Sequence, residues 1–114
     1  VGPNNKKLTL LCGSPHYSCP EIFAQQEYYG SHADIWSLGV LVYTMLAGQF
    51  PFQANSMEAL GKKVLRGKWD RPLAASAAAT ALIQTMLVVQ APKRARLSDI
   101  CSHAWVLDGA RSAD

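Results

Sequence analysis

The chain has 114 residues, 49% hydrophobic and 17% charged, a globular composition that excludes an intrinsically disordered tail and leaves room for one domain at most. Its formal net charge of +3 is far below what a dedicated nucleic-acid binder carries, so no nucleic-acid partner is expected. The charge is uneven, with two basic and four acidic side chains over residues 1–61 and nine against four over residues 62–114.

Turn formers dominate the start: Gly2, Pro3, Asn4, Asn5, Gly13, Ser14 and Pro15 with little periodicity predict loop over residues 1–18. A short helix is expected from Pro20 through Gln25, because proline suits a first helical position, and Tyr29-Gly30-Ser31 should break it. Ser31 or Asp34 then starts a long helix to about Ala47, closed by Gly48. Ile35, Trp36, Leu38, Val40, Leu41, Val42, Tyr43, Met45 and Leu46 cover every side of it, so it should be surrounded by protein. This stretch is interrupted by Ser37 and Thr44 and is too short to span a bilayer, and no membrane association is expected.

Three amphipathic helices follow. Asn55-Ser-Met-Glu58 has capping-box spacing, and Met57, Leu60, Gly61, Val64 and Leu65 fall on one face of a helix that stops near Gly67. Ser76 opens an alanine-rich helix whose apolar face is Leu82, Ile83, Met86 and Leu87. Leu97, Ile100, Cys101, Ala104 and Trp105 repeat the spacing in a last helix. The basic residues Lys62, Lys63, Arg66, Lys68 and Arg71 read first as a solvated helix face. The fold class is therefore mostly α, a buried central helix with about five helices around it and no strand. Four short helices scarcely cover the long one on every side, so either the domain oligomerises or its packing partners lie outside this chain.

Three cysteines, Cys12, Cys19 and Cys101, make an odd number without a C-x-x-C pair, which points to an intracellular location, the cytoplasm with the nucleus as a second compartment, and implies no disulfide framework. Cys12, His16 and Cys19 lack the further ligands of a structural zinc site, and no metal site is expected.

Several motifs, in order, carry a resemblance. Cys12-Gly-Ser-Pro-His-Tyr-Ser-Cys-Pro-Glu21 resembles the end of the activation segment of eukaryotic protein kinases, usually G-[ST]-x-x-Y-x-A-P-E. Asp34-Ile-Trp-Ser-Leu-Gly39 is similar to the D-x-W-S-x-G of that family's central helix, and Phe50-Pro-Phe52 to the turn after it. Ala91-Pro-Lys-Arg94 and His103-Ala-Trp105 resemble the closing D-P-x-x-R and H-x-W. The resemblance covers Leu8 to Val106 and is closest in flavour to calcium/calmodulin-dependent and AMP-activated kinase relatives. It implies a partial protein-kinase C-terminal lobe over residues 1–108, with 109–114 a short tail, and the G-S-P-x-Y form implies Ser/Thr specificity.

By that resemblance, Ser14, Pro15, His16 and Tyr17 bind substrate, shaping the pocket for the residue after the phosphoacceptor. Glu21 pairs with Arg94, Asp34 accepts backbone N–H groups from the catalytic loop, and Trp36 and Gly39 belong with them as structural anchors. Thr9 becomes a phosphorylation site for an upstream activating kinase, one place earlier than the usual threonine, whose position here is Leu10. Other departures are Gln90 for the usual Asp, Pro92 one place late, and Arg96 where a helix-capping Thr is usual.

Phosphoryl transfer in the family rests on a Gly-rich loop, a strand Lys, an H-R-D loop and a D-F-G Asp that holds magnesium. None occurs in this sequence. No catalytic residue is expected in the chain, and the ATP and Mg sites of the full-length kinase should lie N-terminal to Val1. Two functions follow: a fragment of a Ser/Thr kinase acting on protein substrates, or a non-catalytic kinase remnant serving as an interaction module through the helix Met57 to Arg66.

Overall fold

The computed structural model describes residues 15–107. Thr9, Ser14, Cys12 and the tail 109–114 lie outside the described residues. Among the described residues five α-helices follow in order, α1 (Pro20–Phe23), α2 (Gly30–Ala47), α3 (Met57–Arg66), α4 (Ala77–Met86) and α5 (Leu97–Cys101), with 3-10 turns at Pro15–Tyr17 and Ala91–Lys93, a further helical stretch at 104–107, and no strand. The mostly α class stands. No described helix is long and apolar enough to cross a membrane.

The sequence misplaces some helix ends. The short first helix stops at Phe23, two residues before Gln25, whose φ of 56° turns the chain left-handed. The central helix begins at Gly30, ahead of Ser31 and Asp34: Tyr29 is extended and its carbonyl takes the Ala33 N–H at 3.1 Å, so no polar cap is required. For α3 the cap is Ser56, whose Oγ accepts the Ala59 N–H at 3.1 Å, rather than Asn55; Glu58 turns instead to Lys62, one turn on. The last helix pauses at Ser102 and His103 before helical residues 104–107. Elsewhere the capping chemistry acts as read. Ser76 accepts the Ala79 N–H, and Gly48 and Gly67 close α2 and α3 at φ values of 76° and 68°, where a side chain is strained.

The core forms where α2 meets α4 and α1 meets α3. Trp36, Val40, Val64, Ile83 and Met86 are fully buried. Gly39 sets the α2–α4 distance, because a Cβ there would sit 2.9 Å from both Met86 Cβ and Leu87 Cδ2. The expectation of burial on all sides of α2 is corrected by Leu41, 41% exposed, and Met45, 69% exposed. These two side chains, one turn apart, mark a flank of α2 that stays open to solvent.

Candidate functional site

Arg94 is the hub of the site. Its side chain is wholly buried, and its guanidinium uses all five N–H donors. Nη2 reaches Glu21 Oε1 at 2.7 Å and Nη1 reaches Glu21 Oε2 at 3.0 Å, a fork-to-fork pair. Nη1 also donates to the His32 carbonyl at 2.8 Å, Nε to Val88 at 2.8 Å and Nη2 to Val89 at 3.2 Å. The cation lies 5.1 Å from the centre of the Trp36 ring, whose other aromatic neighbour is Phe52, stacked at 5.8 Å. One side chain thus ties α1, the start of α2 and the loop after α4 together.

Burial pushes the Glu21 carboxyl up, but the hydrogen bonds and charge of Arg94 outweigh it and hold its pKa below the ordinary carboxylate value. Cys19, almost fully buried beside it, moves the other way. Burial first, then the Glu21 charge, push its thiol up to about 11, so it stays protonated and unreactive.

The turn Pro15–Tyr17 is held from two directions. Ser37, in the middle of α2, donates its hydroxyl to the Tyr17 carbonyl at 2.9 Å. The His16 ring stacks on Phe50 at 4.3 Å with planes 7° apart, and Tyr17 meets the same ring edge-on at 5.6 Å. Of the residues singled out from sequence, the structure therefore brings Glu21, Arg94 and Trp36 into one cluster. It sets His16 and Tyr17 against a second platform and buries Gly39 at the α2–α4 crossing. Asp34 stands apart, exposed on the first turns of α2, its carboxylate without a hydrogen-bond or ion-pair partner among the described residues.

Compared with known proteins, residues 2–106 match the protein kinase domain. The chain belongs to the protein kinase family. It is 40% identical over 102 residues to the maternal embryonic leucine zipper kinase of Xenopus tropicalis, covering 90% of this chain and 16% of that relative. It is 41% identical over 103 residues to the serine/threonine-protein kinase SIK2 of Gallus gallus, covering 90% of this chain and 13% of the relative. The chain spans about a sixth or less of the length of these curated relatives.

In this kinase-family chain, two supporting residues escaped the sequence reading. Ser37 was visible as a polar break in the apolar run of α2, and its place one turn from Ala33 and two from Gly30 put it on the face that meets the turn. Phe50 stood inside the Phe50-Pro-Phe52 motif, but ring stacking across 34 residues leaves no local signal. The three backbone acceptors of Arg94 are equally invisible in sequence, since every residue has a carbonyl. Among the described residues no group of three or more His, Cys, Asp or Glu side chains is placed to hold a metal ion. With no Gly-rich loop, H-R-D or D-F-G present, the residues of this chain do not fit the nucleotide and magnesium site that the family implies.

Proposed function

We propose that this chain is the helical, substrate-side part of the C-terminal lobe of a protein serine/threonine kinase, which transfers the γ-phosphate of ATP to Ser or Thr hydroxyls of protein substrates. Its share of that work is to hold the acceptor segment. Ser14, Pro15, His16 and Tyr17 shape the pocket for the substrate residue that follows the acceptor. Glu21, Arg94, Trp36 and Gly39 keep the pocket in place, and Asp34 receives N–H groups of the catalytic loop. ATP and magnesium are bound by other residues of the full-length kinase. Thr9 is the acceptor for an upstream activating kinase, and the domain runs to residue 108 with 109–114 as a tail.

The observation that carries this reading is the buried Glu21–Arg94 fork, closing 73 residues of chain at 2.7 and 3.0 Å just behind the 15–17 turn. A surface ion pair contributes little. A dry, five-fold hydrogen-bonded arginine fixes backbone positions, which is what a substrate-aligning segment requires.

The test is a phosphorylation assay of the full-length protein that contains this chain, with matched Ser, Thr and Tyr peptides. Serine and threonine peptides should be phosphorylated and tyrosine peptides not. His16→Ala should raise the peptide KM about tenfold and leave the ATP KM unchanged. No incorporation, or an ATP KM that rises with the peptide KM, counts against the assignment.

A further inference from the structure

A groove of about 1010 Å³ opens between the end of α2, the turn after it, the last turn of α3 and the face of α4. Lys63, Arg66, Lys68 and Arg71 line it, against one carboxylate, Asp70. The ion pairs among the described residues are Lys62–Glu58 and Arg94–Glu21, so none of these four cations is paired with a carboxylate among the described residues. An ordinary solvated face belongs to a single helix. Here two cations come from α3 and two from the loop that returns beneath it, and a built turn brings them together.

That turn is rigid. Gly67 sits at φ 68°, and a Cβ on it would collide with the Val89 side chain. Tyr43, 2% exposed, donates its hydroxyl to the Asp70 carbonyl at 2.6 Å, and the Trp69 ring meets Tyr43 edge-on at 5.7 Å. Across the groove, Lys63 Nζ donates to the Gln53 carbonyl at 2.5 Å, which anchors its ammonium on the wall. Like charges held together by fixed backbone raise one another's energy, and an anion entering between them relieves it. Phe50 also lines the groove, and it is the ring on which His16 stacks, so the groove shares a wall with the 15–17 turn.

We propose that this groove binds an acidic segment of the protein substrate, the stretch continuing past the residue that follows the phosphoacceptor. The placement rests on the kinase reading given above; the charge and the shared wall do not. A peptide fits better than a nucleic acid. The positive charge is four exposed cations gathered on one groove rather than a stripe that tracks a backbone, and the exposed Gln49 and Gln84 on its walls offer amides that pair with peptide groups.

The experiment uses the full-length protein and two fluorescein-labelled peptides, a serine followed by a run of Glu and the same peptide with Gln. By anisotropy the Glu peptide should bind about tenfold tighter at low salt, with the advantage shrinking as salt is raised. Arg66→Glu with Lys68→Glu should abolish the advantage, and the milder Arg66→Gln with Lys68→Gln should reduce it with an unchanged circular dichroism spectrum. In the kinase assay the Glu peptide should show the higher kcat/KM by a similar factor. Equal binding of the two peptides, or an advantage that survives both double variants, overturns the groove. Binding of oligothymidylate as tight as that of the Glu peptide overturns the peptide assignment. Tight Glu-peptide binding with no phosphorylation of any peptide overturns the kinase reading and the substrate role together, leaving an acidic-peptide site.

Discussion

Arg94 illustrates how one residue can be named by sequence and understood only in three dimensions. Its pairing with Glu21 was legible, because two motifs at opposite ends of the chain both have family counterparts. The other three acceptors, the carbonyls of His32, Val88 and Val89, were not. They matter energetically, since each buried carbonyl stripped of its donor costs about 1–3 kcal/mol. Glu21→Ala and Arg94→Ala should each destabilise the full-length protein by about 3–5 kcal/mol, and together by clearly less than the sum. Additive losses in a double-mutant cycle would show that the two act independently. The pair also carries a pH signature. Because the Glu21 pKa is lowered in the folded state, its contribution is complete above the usual glutamate value of 4.5 and declines as pH falls from there through the depressed value. Unfolding free energies from neutral pH to about pH 3 should therefore fall more steeply for the wild type than for Glu21→Gln. Parallel curves would refute the assignment.

At the scale of elements, helix ends and helix contacts divide cleanly in what the sequence reveals. Gly48, Gly67 and Ser76 were readable because left-handed backbone and an N-terminal hydroxyl have few substitutes. The start of α3 was not, because Asn55 and Ser56 are both good caps and only the side-chain direction toward Ala59 N decides between them. Gly39 is the clearest element-level constraint. A methyl group there meets Met86 Cβ, an atom tied to the α4 backbone, so α2 and α4 must separate to admit it. Gly39→Ala should cost about 1–3 kcal/mol in chemical denaturation of the full-length protein. Gly30→Ala, with open space around the new methyl, provides the matched control and should change stability far less. Similar losses at the two positions would remove the close-packing argument.

For the whole molecule, the decisive fact is an apolar flank of α2 that no helix covers among the described residues. Leu41 and Met45 stand in solvent beside the half-exposed edge of the same helix, while Leu73 is fully exposed on the loop before α4. The sequence foretold the excess of apolar surface, since nine hydrophobic side chains ring α2, but not which flank would keep its neighbours. That flank is set by where the four short helices pack. An isolated 114-residue chain should bind hydrophobic dyes and self-associate, and Leu41→Lys with Met45→Lys should suppress both. On the kinase reading proposed above, further chain packs on this flank, and the same pair of substitutions should then destabilise the full-length protein. A monomeric, dye-free wild-type chain would contradict this account.

The Glu21–Arg94 fork has one more consequence, in the order of assembly. During synthesis Glu21 is made long before Arg94 exists, and α1, α2, α3 and α4 are all complete in the interval. Closing so long a span costs only slightly more entropy than closing a short one, but it cannot happen early. The carboxylate must wait in water, and α1 with it, until the penultimate helix has emerged and the chain turns back through Ala91–Lys93. The ion pair behind the segment proposed to meet the substrate is thus closed only after α1 to α4 have been made. A ribosome that stops before residue 94 releases a chain with α1 to α4 and with Ser37 and Phe50 to hold the 15–17 turn, but with no guanidinium to meet Glu21 behind it.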